Sequence, residues 1–432
     1  LDTILRSKKK PRNLISVEKA LFKLFSSFKV PRMNVERAEF VYLLESNGRV
    51  LAKNLYSPMS VPPFDRADRD GFAISSSDTT NASRLSSIHL KIVGKGLAGQ
   101  GAKLNRIRKG QALEIATGAK IPKGADSVIM FEDTVSVDNG LVKISKPVNR
   151  SDHVTYKGSD VKENQLVLRK GTWITPQDVA LIASMGFDKI HVVKKPKVGI
   201  LATGDELTEP GTRLLNDASI YESNRYMVSC LVRDAGGEPL DLGMCKDDPE
   251  AIFRILKSAL SLDMIVVSGG ASVGEKDFAP LLVDKLGKPG LVIHGVAMKP
   301  GSPTGIGIVR NIPVIICPGF PVSAYAAFSV FGLPILFKLL GTKGHVKAVL
   351  KVKITEDISV HKDFLTLVRV IVYRDNDVLL AKPVSASGPS LITTLTNSNG
   401  IVFVDGRIIH GSKLRRGEVV EVTLFKNIQG TT

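Results

Sequence analysis

Between Lys197 and Leu340 the chain alternates, several times over, an apolar strand-like run, a polar Gly-rich turn and a helix-like segment. The series opens with KVGILATGDEL (Lys197 to Leu207) and passes through KDD (Lys246 to Asp248) and DMIVVSGGASVGEKDF (Asp263 to Phe278). It continues with AMKPGSP (Ala297 to Pro303) and closes on VIICPGFPVSA (Val314 to Ala324). Such an alternation folds into an open α/β sheet, and an open α/β sheet binds ligands outside the carboxyl ends of its strands, where these turns fall. MIVVSG is apolar without a break, as expected of a strand covered on both faces. PEAIFRILKSAL reads as a helix capped by Asp248, with Pro249 in its first turn.

The flanking sequence has other periods. Val17, Ala20, Leu21, Leu24, Phe25 and Phe28 fall at helical spacing behind Ser16, a suitable N-cap. A second helix is expected from near Asn34 to just before Asn47-Gly48. VPPFDRADRDGFAI (Val61 to Ile74) has two prolines and no helical period, so it reads as a structured loop leading into a strand. From Leu90 to about Lys146 short β-rich runs alternate with glycine turns, the pattern of a small all-β module. Gly171 and Pro176 then introduce a helix from Gln177 to Met185, followed by the strand KIHVVKK (Lys189 to Lys195). This return to mixed structure implies that the β module is inserted into the first domain. Beyond Gly341-Thr342 helix signals end, and Val346 to Phe425 reads as a small β barrel or sandwich. The expected fold class is therefore α/β and β multidomain. Residues 1–60 with 148–194 form a mixed helical/β domain, 61–147 the inserted module, 195–343 the α/β domain and 344–432 the β barrel.

A chain of 432 residues exceeds one ordinary core, so about two to four domains are expected. Hydrophobic content of 43% with 23% charged residues describes a folded globular protein. Cys230, Cys245 and Cys317 are scattered and without CxxC or His pairs, which supports neither a disulfide framework nor a zinc site. A reducing, cytoplasmic setting is expected. The first residues are polar and basic (Lys8, Lys9, Lys10, Arg12), unlike a secretory leader. The apolar stretch Val322 to Leu340 contains Ser323, Ser329, Pro334 and Lys338 and reads as a buried helix with a break, not a membrane span. The net charge of +17 is spread along the chain and not interleaved with aromatics. It reads first as a solvated surface, then as attraction for a phosphate-rich ligand, with nucleic acid the lesser reading.

The turns supply the candidate site. SGGASVG (Ser268 to Gly274) follows a buried strand and has the makings of a phosphate cradle: Gly269 and Gly270 allow backbone N–H groups to approach an anion, and Ser268 and Ser272 add hydroxyls. The plain alternative is a tight turn. No Gly-Lys-Ser/Thr follows, so it is not a Walker A loop. Four carboxylates stand at strand ends or in turns: Glu206, Asp247, Asp248 and Asp277. Asp248 reads first as an N-cap. Carboxylates beside a phosphate cradle are what Mg²⁺ requires, since it is held by one or two of them plus phosphate oxygens. Lys299, before Pro300-Gly301, is placed to neutralise a phosphate or an oxyanion, unless it is simply solvated.

Taken in order, TGDEL, IYESN (Ile220 to Asn224), KDDP, SGGASVGEKD, AMKPGSP and PGFPVSA resemble the molybdopterin molybdenumtransferase family, which inserts metal into the dithiolene pterin of the molybdenum cofactor. FDRADRDGFAI, IATGAKIPKGADSVIMFED (Ile115 to Asp133), KGSDV (Lys157 to Val161) and SGPSLITTLTNSNGIVFV (Ser387 to Val404) extend the resemblance from about Ser16 to the C-terminus. The resemblance implies a central molybdopterin-binding-like α/β domain and an elongated homodimer with the active site between subunits. It also implies Mg²⁺, adenylated molybdopterin and molybdate or tungstate as reactants, release of AMP, and molybdopterin adenylyltransferase as a further partner. Carried across, Glu206, Asp247, Asp248 and Asp277 are the acidic residues, for the cation and for orienting water, with Glu206, Asp247 and Asp277 catalytic. Thr203, Ser268, Gly269, Gly270, Ser272 and Lys299 would hold phosphates. Pro318, Gly319, Pro321 and Ser323 would shape the loop near pterin or oxyanion, and Asp70, Thr117 and Asp160 would come from the other subunit.

The chain departs from the family pattern at several of these places. Lys-Pro-Gly-Lys-Pro is here Lys299-Pro300-Gly301-Ser302-Pro303, one positive charge fewer. Gly-Asn-Pro is Gly319-Phe320-Pro321. Asp68 and Arg69 precede Asp70, Val154-Thr155-Tyr156-Lys157 replaces an arginine-rich run, and Ser159 stands for a glutamate. These departures bear on activity and metal choice rather than on fold. Three readings compete with the insertase. One is a catalytically weakened relative that binds pterin or a partner protein. Another is an enzyme like the molybdopterin adenylyltransferases or a nucleotide-pyrophosphatase group, which the α/β domain also resembles and the flanking β domains oppose. The last is a nucleic-acid-binding protein.

Overall fold

The computed structural model describes residues 14–30, 37–99, 106–137, 140–213, 216–271, 278–344, 348–384, 388–409 and 413–428. They form two compact units, one running to Glu39 and taking in Gly48–Val50 and the chain from Val193 on, the other made of Phe40–Asn47 and Leu51–Val192.

Helix α1 (Val17–Ser27) begins as its sequence requires: Ser16 is extended and its hydroxyl accepts from the Lys19 N–H. The helix expected next is not there. Ala38–Tyr42 is a strand (β1) and only Leu43–Ser46 (α2) is helical. The reason is a period of two: Phe40 and Tyr42 are 64% and 57% exposed, with Val41 buried between them. Within the second unit a strand pair joins β2 (Arg66–Ala67) to a later strand. The all-β module is a six-stranded sheet built from β3 (Gly71–Ile74), β4 (Ile88–Gly96), β5 (Gln111–Ile115), β6 (Ser127–Met130), β7 (Thr134–Val137) and β8 (Leu141–Ile144). Their order across the sheet is β6-β3-β5-β4-β8-β7. Strand β9 (Val154–Thr155) is the partner of β2, and helix α3 (Pro176–Ser184) opens on a capping box of Thr175 and Asp178. Strand β10 (Lys189–Val193) follows.

The first unit carries the α/β alternation. Its elements are β11 (Lys197–Thr203), α4 (Asn224–Asp234), β12 (Glu238–Cys245), α5 (Pro249–Ser258), β13 (Met264–Ser268) and α6 (Ala279–Leu286). After them come β14 (Pro289–His294), β15 (Met298–Lys299), β16 (Gly305–Val309), β17 (Ile312–Cys317) and α7 (Pro321–Ala327). The sheet order is β12-β11-β13-β17-β16-β14, with the first four strands parallel, β16 reversed against both its neighbours, and β14 running with the first four. The continuous apolar strands divide their side chains by parity. Val266 and Ile315 face a core that includes Val17, Leu24 and Phe328, whereas Val267 and Ile316 face Ile252, Leu256 and Leu282. The apolar segment Pro321–Leu340 has a mean hydropathy of 1.6 and is 61% buried. It packs in the first of these cores as α7, a π-helical turn at Phe328–Gly332, and α8 (Leu333–Leu340).

The C-terminal strands close on themselves. Strands β18 (Val349–Ile354), β19 (Leu365–Asp375), β20 (Val378–Pro383), β21 (Gly400–Asp405) and β22 (Val419–Leu424) run in the order β19-β20-β18-β22-β21, and β21 pairs back to β19. A short helix α9 (Thr393–Thr396) interrupts the expected all-strand run. Strand β15 of the α/β part adds to this barrel through β19, with Met298 opposite Leu365 and Lys299 opposite Thr366.

Candidate active site

From β11 the chain crosses to β12 on one side and then to β13 on the other. Turns leaving β11 and β13 therefore diverge at the carboxyl ends and leave a crevice, the switch-point position for a ligand. A cleft of about 520 Å³ lies there. Its walls are Thr203, Gly204 and Glu206 after β11, Asp247 after β12, Ser268, Gly269 and Gly270 after β13, and Pro318, Gly319 and Pro321 after β17. Residues distant in sequence and named from their turns thus converge on one cavity. Ser272 and Asp277 lie outside the described residues.

The cleft floor is tightly specified. Gly269 has φ +99°, and a Cβ there would lie 2.2 Å from the Thr203 carbonyl oxygen, so only glycine fits. Its N–H donates to the Cys317 carbonyl at 3.0 Å and is not directed at an anion. Asn224, at the start of α4 and 6% exposed, is the residue that turn-by-turn reading missed. Its Nδ2 donates to Ser268 Oγ at 2.9 Å and to the Gly319 carbonyl at 2.7 Å. Asn224 Oδ1 and Thr203 Oγ1 are buried with no hydrogen-bond partner among the described residues. Two polar atoms of this kind within a cleft call for a ligand or ordered water.

Behind Asn224 stands Arg225, 4% exposed. Its Nη2 donates to Glu209 at 2.6 and 2.7 Å, its Nη1 to Asp241 at 2.7 and 2.9 Å, and its Nε lies 3.6 Å from buried Glu222. Burial works against the guanidinium charge, but Asp241 and Glu209 outweigh it and raise the Arg225 pKa. Burial raises the Glu222 carboxyl above its ordinary value, against the opposing pull of the Arg225 N–H and charge. This network ties the segment that carries Glu206 and Glu209 to β12.

The acidic residues do not all behave alike. Glu206 and Asp247 line the cleft. Asp248 is an N-cap: its Oδ1 accepts from the Glu250 and Ala251 N–H groups at 2.9 and 3.3 Å. Among the described residues no group of three or more His, Cys, Asp or Glu is gathered to hold a metal ion. The expected four-carboxylate set is thus reduced, among described residues, to Glu206 and Asp247 at the cleft. Beside them the Cys245 thiol is raised by burial, then by Asp248 and Asp247.

Lys299 lies in a second cavity, of about 620 Å³, which shares Pro303, Pro318 and Phe320 with the first. Ser323, His361, Thr366 and Arg369 also line it. Arg369, 8% exposed in a barrel strand, has its pKa lowered by burial. Lys299 Nζ lies 3.2 Å from His361 Nδ1 and 4.9 Å from the centroid of the Phe364 ring. Ser302 contributes no donor, since its hydroxyl already donates to the Met298 carbonyl at 2.8 Å.

In the other unit, Asp70 accepts from the Thr117 N–H at 2.7 Å and from its hydroxyl at 3.0 Å, and these bonds lower the Asp70 pKa. The Asp160 N–H donates to the Val61 carbonyl at 3.1 Å. Two of the departures from the family pattern meet here, where the Thr155 hydroxyl bonds the Asp68 carboxylate.

Comparison with known proteins agrees along the whole described chain. Residues 15–186 match the family model described as the MoeA N-terminal region (domain I and II), 199–338 a probable molybdopterin binding domain, and 351–425 the MoeA C-terminal region (domain IV). A molybdopterin molybdenumtransferase of Bacillus subtilis is 33% identical over 398 residues, 91% of either chain. A putative molybdopterin biosynthesis protein of Methanocaldococcus jannaschii is 32% identical, with 96% of this chain and 98% of that one covered. Among solved structures, a molybdopterin biosynthesis MoeA protein from Pyrococcus horikoshii superposes with a TM-score of 0.81 at 31% identity, covering 96% of this chain and all of the other (100%).

Proposed function

The chain belongs to the molybdopterin molybdenumtransferase family, and from that premise we propose that it inserts molybdate or tungstate into adenylated molybdopterin, with Mg²⁺-dependent release of AMP. The observation that carries this reading is the pair of adjoining cavities. One is lined by amide, hydroxyl and carboxylate groups at the sheet's switch point, the other by Lys299, Arg369 and His361, and Pro303, Pro318 and Phe320 line both. A substrate with an organic body and a phosphate link, and a small tetrahedral dianion that must meet it, need such neighbouring sites.

Glu206 and Asp247 suit a Mg²⁺ ion that completes its shell with substrate phosphates, which takes only one or two protein carboxylates. When bound, the ion would neutralise charge on the anhydride. The chain's own groups do the rest. Asn224 and Thr203 bind the organic part at the cleft floor, Glu206 and Asp247 orient water toward the anhydride, and Lys299 and Arg369 bind the oxyanion. Asp277 and Ser272 belong to the same reading through their place after β13. We further propose a cytoplasmic homodimer in which Asp70, Thr117 and Asp160 reach the cleft of a second subunit, with molybdopterin adenylyltransferase as partner.

A weakened, binding-only relative is the second reading, and the occupied Ser302 hydroxyl and the 56% exposed Phe320 favour it. The deciding experiment is AMP release from adenylated molybdopterin by the purified protein with Mg²⁺, with molybdate and tungstate tested separately. Oxyanion-dependent release supports the insertase. Binding of the adenylated pterin without release under either oxyanion supports the weakened relative.

A further inference from the structure

We infer that His361 is a positioning residue that holds the Lys299 ammonium in the second cavity, and that the barrel thereby aims the only lysine among the described residues that line it. A lysine side chain has many rotamers, so one that must meet a ligand reproducibly needs a holder. Two groups supply it. His361 Nδ1 is 3.2 Å from Lys299 Nζ, and the Phe364 ring centroid is 4.9 Å from it. An ammonium has donors only, so the contact requires the lone pair of Nδ1 and leaves the ring proton on Nε2. The aromatic face adds a cation–π attraction from a second direction.

The holder's backbone is itself fixed. Phe364 N–H donates to the His361 carbonyl at 3.2 Å, and Gly406 N–H to the Phe364 carbonyl at 2.9 Å. A Cβ at Gly406 would lie 2.0 Å from the His361 carbonyl oxygen, so glycine lets the two strands' ends meet. The lysine's own backbone is registered against the same barrel strand, Lys299 opposite Thr366. With Nδ1 and the ring on two sides, a remaining N–H of the ammonium is available to the cavity, whose wall also includes Arg369. Such a cavity takes an acceptor-only ligand, a compact oxyanion. That consequence rests on the function proposed above; the positioning does not.

The test is the acetylation rate of Lys299, followed by peptide mass spectrometry on the intact protein, for wild type, His361→Ala, His361→Asn and Phe364→Leu, with and without molybdate. Loss of a hydrogen bond to a charged group predicts that His361→Ala labels roughly tenfold faster than wild type. His361→Asn, whose side-chain oxygen restores an acceptor, should label close to the wild-type rate, and Phe364→Leu between the two. Equal rates in wild type and His361→Ala, or no rescue by asparagine, would overturn the positioning role. Protection of wild-type Lys299 by molybdate is the separate arm. If it is absent while the alanine effect and its rescue are present, the oxyanion reading of the cavity fails and the positioning stands.

Discussion

Asn224 spans the cleft floor to Gly319, its Nδ2 donating to that carbonyl at 2.7 Å across 95 positions of sequence. A carbonyl oxygen only accepts, so the amide cannot be turned over, and Asn224 Oδ1 is held as an acceptor without a donor among the described residues. Any group that comes to meet this oxygen must therefore donate an N–H or O–H, as a pterin, an adenine or a ribose can and a phosphate oxygen cannot. Asn224→Asp replaces the donor with a carboxylate oxygen facing Gly319 O. We expect stability to fall by about 1–3 kcal/mol and affinity for adenylated molybdopterin by roughly tenfold. Calorimetric binding at the wild-type level in this variant would remove Asn224 from the site.

Glu206 and Asp247 line the cleft together with Glu222, and they are neither buried as Glu222 is nor committed to a helix cap as Asp248 is. Glu206→Gln and Asp247→Asn should each lower AMP release by about a hundredfold or more, the usual range for loss of acid–base and water-orienting groups. Unfolding temperatures should stay at the wild-type value, because both side chains are in the cleft wall. Asp277→Asn should behave in the same way. Undiminished turnover in the Glu206 and Asp277 variants would take these carboxylates out of the mechanism.

Much of this site was legible because it lies at strand ends, and strand ends follow from period. KVGILAT and MIVVSG announce buried parallel strands, so Thr203, Glu206, Ser268 and Gly269 could be placed on one edge before any contact was known. Asn224 could not, because in sequence it is an ordinary first residue of a helix and its meaning depends on Gly319. Arg369 left one unread signal, the single charged residue inside Val368-Arg369-Val370-Ile371-Val372. The antiparallel strand Gly305–Val309 was hidden for a related reason. Gly307 dilutes its apolar pattern, yet a Cβ there would lie 2.2 Å from a Val283 methyl, so the glycine is a packing requirement.

Ser302 stands where the family pattern has a lysine, and its hydroxyl is occupied by the Met298 carbonyl. Ser302→Lys would exchange one modest local hydrogen bond for an ammonium at the rim of the cavity that holds Lys299 and Arg369. We expect roughly tenfold tighter binding of molybdate, in line with one added charge-assisted hydrogen bond. Titration calorimetry with molybdate, and the molybdate dependence of AMP release, measure it. An unchanged dependence in both would argue that the oxyanion sits elsewhere.

Arg225 with Glu209, Asp241 and Glu222 makes a prediction that depends on pH. Removing the guanidinium by Arg225→Met leaves Glu209 and Asp241 without their cation, and because both are partly exposed, at 39% and 63%, the variant should lose stability by less than a fully buried broken pair would. Glu222 itself has a folded-state pKa raised above the ordinary glutamate value of 4.5, burial being the main cause. The folded protein therefore holds this proton more tightly than the unfolded chain. As pH rises from the ordinary value through the raised one, the unfolded chain ionises first, binds fewer protons, and gains relative to the fold. Stability contributed by neutral Glu222 is thus present below that window and lost above it. Glu222→Gln keeps an acceptor for the Arg225 N–H, which Glu222 Oε1 now bonds at 2.8 Å, and does not titrate. The difference in unfolding temperature between wild type and Glu222→Gln should accordingly change sign-consistently across the window, wild type losing ground as pH increases. A difference that is flat in pH would mean that burial does not shift this carboxyl, and that Arg225 alone sets the order of the segment bearing Glu206.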